Sequence, residues 1–197
     1  MKKSHIIWSV EEIEKFLNQC KMGSHYLTFL LAISTGIRKK EILSLKWEDI
    51  NFEKKIIKVK RTKNLNNTRL DLYISEYIIN ELIIQRKLQE EQKKAIGELY
   101  NDFDLVICTN TGNSESVKSI DYELKLRAEN AKVRLIKFNE IQYTHRVLLF
   151  EAFQNYRRSQ KYKLFQNPYN DRISGYIPSV AIESFLSTTL PLEDFRM

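Results

Sequence analysis

The sequence predicts a mainly α-helical domain with one small antiparallel β-sheet, an α+β arrangement. Three observations lead there. Apolar residues recur at helical spacing in several long segments, and two short strand-like runs flank a turn rich in asparagine. No repeat, low-complexity stretch or Pro/Gly-rich linker divides the 197 residues, so residues 1–197 read as a single domain. That length suffices for a substantial core, and 43% hydrophobic with 29% charged residues is the balance of a soluble globular protein.

The elements follow in order. Ser9 and Glu12 form a capping box, which starts a helix whose apolar stripe is Val10, Ile13, Phe16, Leu17 and Cys20. From His25 to Thr35 the chain is nearly all apolar, as a helix buried on every side requires. Gly36, free to take positive φ, ends it, and a short helix spans Lys39 to Leu45. Ile56, Ile57 and Val59 mark one strand and Arg69 to Ile74 its partner, with Asn64-Leu65-Asn66-Asn67 as the turn. The longest helix runs from Glu76 to about Gly97, with Ile79, Leu82, Ile83 and Arg86 in register. Asp104 to Cys108 reads as a buried strand or an extended segment, Thr109 to Ser116 as a polar loop and Val117 to about Asn130 as a helix. A further amphipathic helix covers Ile141 to Phe153 through Val147, Leu148, Phe150 and Phe153. Tyr156 to Pro178 shows little periodicity, and Ile182 to Leu190 fits a last short helix.

Several function classes drop out. No apolar stretch approaches the ~18 residues of a membrane span, and the start has no signal-peptide apolar run. Metal-ligand clusters, Walker loops and dinucleotide fingerprints are absent from the sequence, so no cofactor is expected. Cys20 and Cys108 stand alone and far apart, as buried reduced thiols in the cytoplasm do. The net charge of +7 points weakly to a polyanionic partner. Its distribution is more telling. Lys54, Lys55, Lys58, Lys60, Arg61 and Lys63 crowd the hairpin with no acidic residue between them, and Arg157, Arg158, Lys161 and Lys163 form a second concentration.

Two segments then carry a family resemblance. Thr35-Gly36-Ile37-Arg38-Lys39-Lys40-Glu41-Ile42-Leu43-Ser44-Leu45-Lys46-Trp47-Glu48-Asp49-Ile50 resembles the first arginine box of the tyrosine recombinases, or phage integrases. Thr62-Lys63 at the hairpin turn is similar to that family's hairpin lysine. The likeness is good over 8–153 and poor over 154–197, and it implies the recombinase catalytic-domain fold without the usual N-terminal core-binding domain. Such an enzyme attacks a scissile phosphate with a tyrosine while two arginine forks hold the non-bridging oxygens and a lysine protonates the leaving oxygen.

By this resemblance Arg38 matches the first arginine, Lys63 the hairpin lysine and Glu41 an acidic brace. The second box departs from the pattern. In Phe138-Asn139-Glu140-Ile141-Gln142-Tyr143-Thr144, Asn139 stands where the family has histidine and Gln142 where it has the second arginine. Neither replacement carries charge. Near the end, Glu183 falls at the His/Trp position and Glu193 at the nucleophile, and no tyrosine follows Tyr176.

The expectation is therefore a catalytically inactive, recombinase-like protein that binds double-stranded DNA, a transcriptional regulator of a phage or mobile element at the nucleoid. Phosphate contacts are expected from Arg38, Lys54, Lys58, Lys60, Arg61, Lys63 and Arg69, then from Lys137, Arg146, Arg157 and Arg158. Three alternatives stay open: an active recombinase using a relocated Tyr169 or Tyr176, an interaction module pairing with an intact recombinase, and a decayed remnant, against which the intact apolar pattern speaks. A second copy or a recombinase-like protein is the further partner to expect.

Overall fold

Local sequence signals become helices where caps and apolar faces coincide, and the first helix illustrates this. The structure, a computed structural model, describes residues 5–21, 23–60 and 69–158, with backbone alone at 152–158. Helix α1 (Val10–Cys20) begins where Ser9 Oγ accepts the Glu12 amide at 3.3 Å and Glu12 Oε2 accepts the Ser9 amide at 2.9 Å. Its Ile13, Phe16, Leu17 and Cys20 are buried, while Val10 lies at the solvent edge of the stripe.

Helix α2 (Tyr26–Thr35) buries every residue from Leu27 to Thr35 and packs against α1 and the later helices α4 and α6. It is the axis of the core. Gly36 caps it at φ 66°, in the left-handed region. Phe16, Phe29 and Phe138 form a chain of ring contacts through the core, closed at one end by Trp8.

Helix α3 is shorter than expected, Lys39–Leu43, because Ser44 closes it with bonds back to Lys40 and Ile42 carbonyls. A single helical turn at Trp47–Asp49 leads into strand β1 (Ile50–Asn51), which the sequence did not signal. Strands β2 (Ile56–Lys60) and β3 (Arg69–Tyr73) pair antiparallel, with Lys58 opposite Asp71 and Lys60 opposite Arg69, in sheet order β1-β2-β3. The hairpin is thus as read, and its Asn64–Asn67 turn lies outside the described residues.

Helix α4 (Glu76–Ile96) begins at an N-cap Ser75 and ends at Gly97. It buries Ile78, Ile79, Leu82 and Gln89, but Ile83 is exposed, contrary to its expected place in the apolar register. Two overlapping apolar sets run along this helix, and only packing selects between them.

Of the two readings for residues 104–108, the segment outside the sheet holds and the strand does not. It contributes only isolated bridges, Lys46 to Leu105 and Cys108 to Ser114. Its backbone is satisfied otherwise: the Val106 amide donates to Leu45 O at 2.9 Å, and the Gln89 side-chain amide donates to Val106 O at 2.9 Å. Gln89 Oε1 also accepts the Trp47 indole N–H at 2.9 Å, which fixes the arginine box's tryptophan against α4.

Cys20 is buried as expected, whereas Cys108 is half-buried; both are free thiols. Helix α5 is Val117–Asn130, as read. Helix α6 runs Phe138–Arg158, longer at both ends than the expected Ile141–Phe153, and its Phe150 is exposed rather than buried. The Ile182–Leu190 segment lies outside the described residues. No described helix is long and apolar enough to cross a membrane.

Candidate nucleic-acid interface

The site is built around the end of α2. After Gly36 turns the chain, Ile37 is buried and Arg38 takes the extended N-cap position of α3. The Arg38 amide donates to Glu41 Oε2 at 2.8 Å, and Glu41 Oε1 lies 3.5 Å from the guanidinium. Glu41 thereby braces Arg38, as expected, while the arginine side chain remains 46% exposed. Glu41 engages one terminal nitrogen, Nη1, and the half-exposed guanidinium fork is suited to take an anion beside it.

Residues from α6 close the other side. Gln142 Nε2 donates to Gly36 O at 3.0 Å, which brings the second-box position within two residues of Arg38 along the chain. One turn further, His145 Nδ1 donates to Ile33 O at 2.9 Å, so the ring is set as the Nδ1–H tautomer. Burial lowers its pKa to about 4, and near neutral pH the imidazole is uncharged. His145 faces the core and Arg146 faces solvent, its guanidinium 5.4 Å from the Tyr143 ring centre. Tyr143 itself stacks on His5 with ring centres 3.7 Å apart.

The hairpin presents Lys58, Lys60, Arg69 and Asp71 as exposed residues of β2 and β3. They are not equivalent. Lys60 Nζ lies 3.4 Å from Asp49 Oδ1 and 3.6 Å from Glu48 Oε1, carboxylates supplied by the arginine box itself. Lys58, Arg69 and the exposed Lys54 have no ion pair among the described residues. Lys137 is exposed at the start of α6, where its amide donates to Glu140 Oε2 at 2.7 Å. Arg61, Lys63, Glu183 and Glu193 lie outside the described residues, as do the side chains of Arg157 and Arg158 on α6.

Asn139 is exposed and lines an open cleft of about 540 Å³ together with Lys39, the neighbour of Arg38. Lys39 bonds Asp121 Oδ1 of α5 at 2.6 Å. Sequence reasoning missed this pair, since the partners are far apart in the chain and Asp121 belongs to no motif.

Residues 8–145 match the phage integrase family, a span that takes in the arginine box, the hairpin and the second box. The chain belongs to that family. A tyrosine recombinase XerC-like protein of Caldanaerobacter subterraneus subsp. tengcongensis is 32% identical over 169 residues, covering 73% of this chain and 43% of the relative. Among solved structures, the XerA recombinase covers 94% of this chain and 65% of that one with TM-score 0.63 and 15% identity. The XerH recombinase bound to palindromic difH substrate covers 92% of this chain and 52% of that one, at TM-score 0.61 and 18% identity. These likenesses establish the fold of a tyrosine recombinase catalytic domain. This family member spans less than half the length of the curated relatives it matches.

Proposed function

We propose that this chain holds duplex DNA without cutting it and serves as a regulator of a phage or mobile element. The observation that carries the reading is Gln142, a neutral amide at the second-arginine position, already occupied by the Gly36 carbonyl at 3.0 Å. Cleaving a phosphodiester concentrates negative charge on the non-bridging oxygens, and removing one aligned donor typically costs on the order of 100-fold in rate. Here Arg38 is the single guanidinium of the pair. Asn139 replaces a titrating group, and in sequence Glu183 and Glu193 replace the last two catalytic positions. A carboxylate at Glu193 repels a phosphate where a tyrosine would attack it.

Holding DNA makes fewer demands. Phosphate contacts need exposed cations, and Arg38, Lys54, Lys58 and Arg69 supply them, with Lys137 and Arg146 on the α6 side. Arg61, Lys63, Arg157 and Arg158 extend the set in sequence. A related recombinase was crystallised bound to its difH substrate, which supports DNA as the partner of this fold. A protein that occupies a site and leaves it intact can block a promoter there, and its place is then with the nucleoid.

Two measurements test this. A suicide duplex incubated with the protein should yield no adduct on a denaturing gel; a covalent band would restore the recombinase reading, with Tyr169 or Tyr176 as first candidates. A salt titration of duplex binding should be steep, with each phosphate contact adding about 0.9 to the log–log slope. Duplex binding that is absent, or indifferent to salt, would leave an interaction module as the better description.

A further inference from the structure

The cleft between α5 and the start of α6 shares only Lys137 and Asn139 with the reading above, and its chemistry is specific. Its floor is apolar: Ile6, Leu124, Leu135, Ile136 and Phe138. At about 540 Å³ it falls within the range of small-molecule sites. Leu135 is 49% exposed and Ile6 40% exposed, so apolar surface lies open on the cleft wall.

The rim is cationic. Lys39, Lys125 and Lys137 line it against two carboxylates, Asp121 and Glu140. Glu140 is engaged elsewhere, accepting the Lys137 amide at 2.7 Å with Oε1 at 3.9 Å from His5 Nδ1. Lys39 is the most confined of the three, its side chain 13% exposed, its Nζ bonded to Asp121 and 5.5 Å from the Phe138 ring centre. An ammonium carries three protons, and one carboxylate at 2.6 Å takes one of them.

We infer that this cleft binds a small amphipathic anion, an apolar ring or chain carrying one carboxylate or sulfonate. The apolar body would lie on Leu124, Leu135 and Phe138, and the acid group would join Asp121 on Lys39 with Lys137 at the mouth. Neutral ligands leave the lysines unused, and a small inorganic anion leaves the floor wet, so the pairing of floor and rim selects the class. Lys137 belongs to both readings, but ligand binding measured without DNA tests this one by itself.

The probe is 8-anilinonaphthalene-1-sulfonate, titrated by fluorescence into the full chain at pH 7.5. One saturable site is expected, with Kd on the order of tens of micromolar for a ligand of about twenty heavy atoms. Lys39→Met should weaken it roughly tenfold, as loss of a charge-assisted contact does, and Lys94→Met on α4 should not change it. Leu135→Asp, at an exposed position that folding tolerates, should abolish binding and covers the case in which Lys39→Met unfolds. Decanoate should displace the probe at least tenfold better than decanol. Unsaturable binding, a Leu135→Asp variant that binds like wild type, or equal displacement by decanol would each overturn the inference, because a partly folded or merely greasy surface takes up the dye without these preferences.

Discussion

Acidification from pH 7.5 to pH 5 is expected to weaken the fold mainly through one side chain, His145. Its ring is buried between α6 and the end of α2, donates to Ile33 O at 2.9 Å, and has its pKa lowered from 6.5 to about 4, chiefly by burial. The folded value lies below the unfolded one, so the unfolded chain takes up the proton first as pH falls. The stabilisation is therefore complete above 6.5 and is lost progressively down to about 4. At pH 5 the loss comes to about 2 kcal/mol, and at pH 7.5 it is about 0. With a urea dependence of about 1–3 kcal/mol per molar, the unfolding midpoint should drop by roughly 1 M. The assay is urea unfolding of wild type and His145→Gln at both pH values. Every other titrating group is common to the two proteins and cancels in the double difference. Equal losses in wild type and variant would refute the assignment of the buried neutral ring.

Four further outcomes are expected. Gly36→Ala forces a side chain into φ 66° and sets its Cβ 2.5 Å from His145 Cδ2, so it should destabilise by about 2–4 kcal/mol in a thermal or urea melt. Gln89→Leu leaves the Trp47 indole N–H and the Val106 carbonyl without their partner, with an expected cost of about 1–3 kcal/mol in urea unfolding. Lys58→Glu combined with Arg69→Glu should weaken duplex binding and lower the salt slope by about 2, read by fluorescence anisotropy across a salt series. Lys60→Glu should differ from these in kind, since its charge faces Asp49 at 3.4 Å and reversal sets like charges together, which a melting curve registers as lost stability.

Much of the fold was legible because several signals agree locally. Ser9 and Glu12 announce α1, the uninterrupted apolar run announces α2, and Gly36 ends it with the only residue that takes its backbone angle without strain. The errors have two causes: a remote partner satisfies the backbone or selects the face, or a local side-chain cap starts a helix early. Leu105-Val106-Ile107 has the composition of a strand, yet its carbonyls are met by the Gln89 side chain, which periodicity does not reveal. The first turn of α6 looks too polar to be helix, but Glu140 reaches back to the Lys137 amide and starts it early. In the site, Arg38 was recognisable from its box, whereas the neutralising of Lys60 was not. Asp49 belongs to the same box, and it takes the antiparallel sheet to bring the strand-end lysine back upon it.

The last turn of α2 has a mechanical consequence. Helix C-termini ordinarily leave their carbonyls to water, which lets the end fray. Here Ile33 O and Gly36 O are both bonded from side chains of α6, His145 and Gln142. The two helices are therefore latched at successive points and cannot slide past one another without breaking both bonds. Arg38, two residues beyond the latch, inherits that stiffness: whatever it grips is gripped by the core, and a pull on it is felt along α6 before any loop can yield. Amide hydrogens of α2 and the first half of α6 should accordingly exchange together, as one unit, and only in large openings.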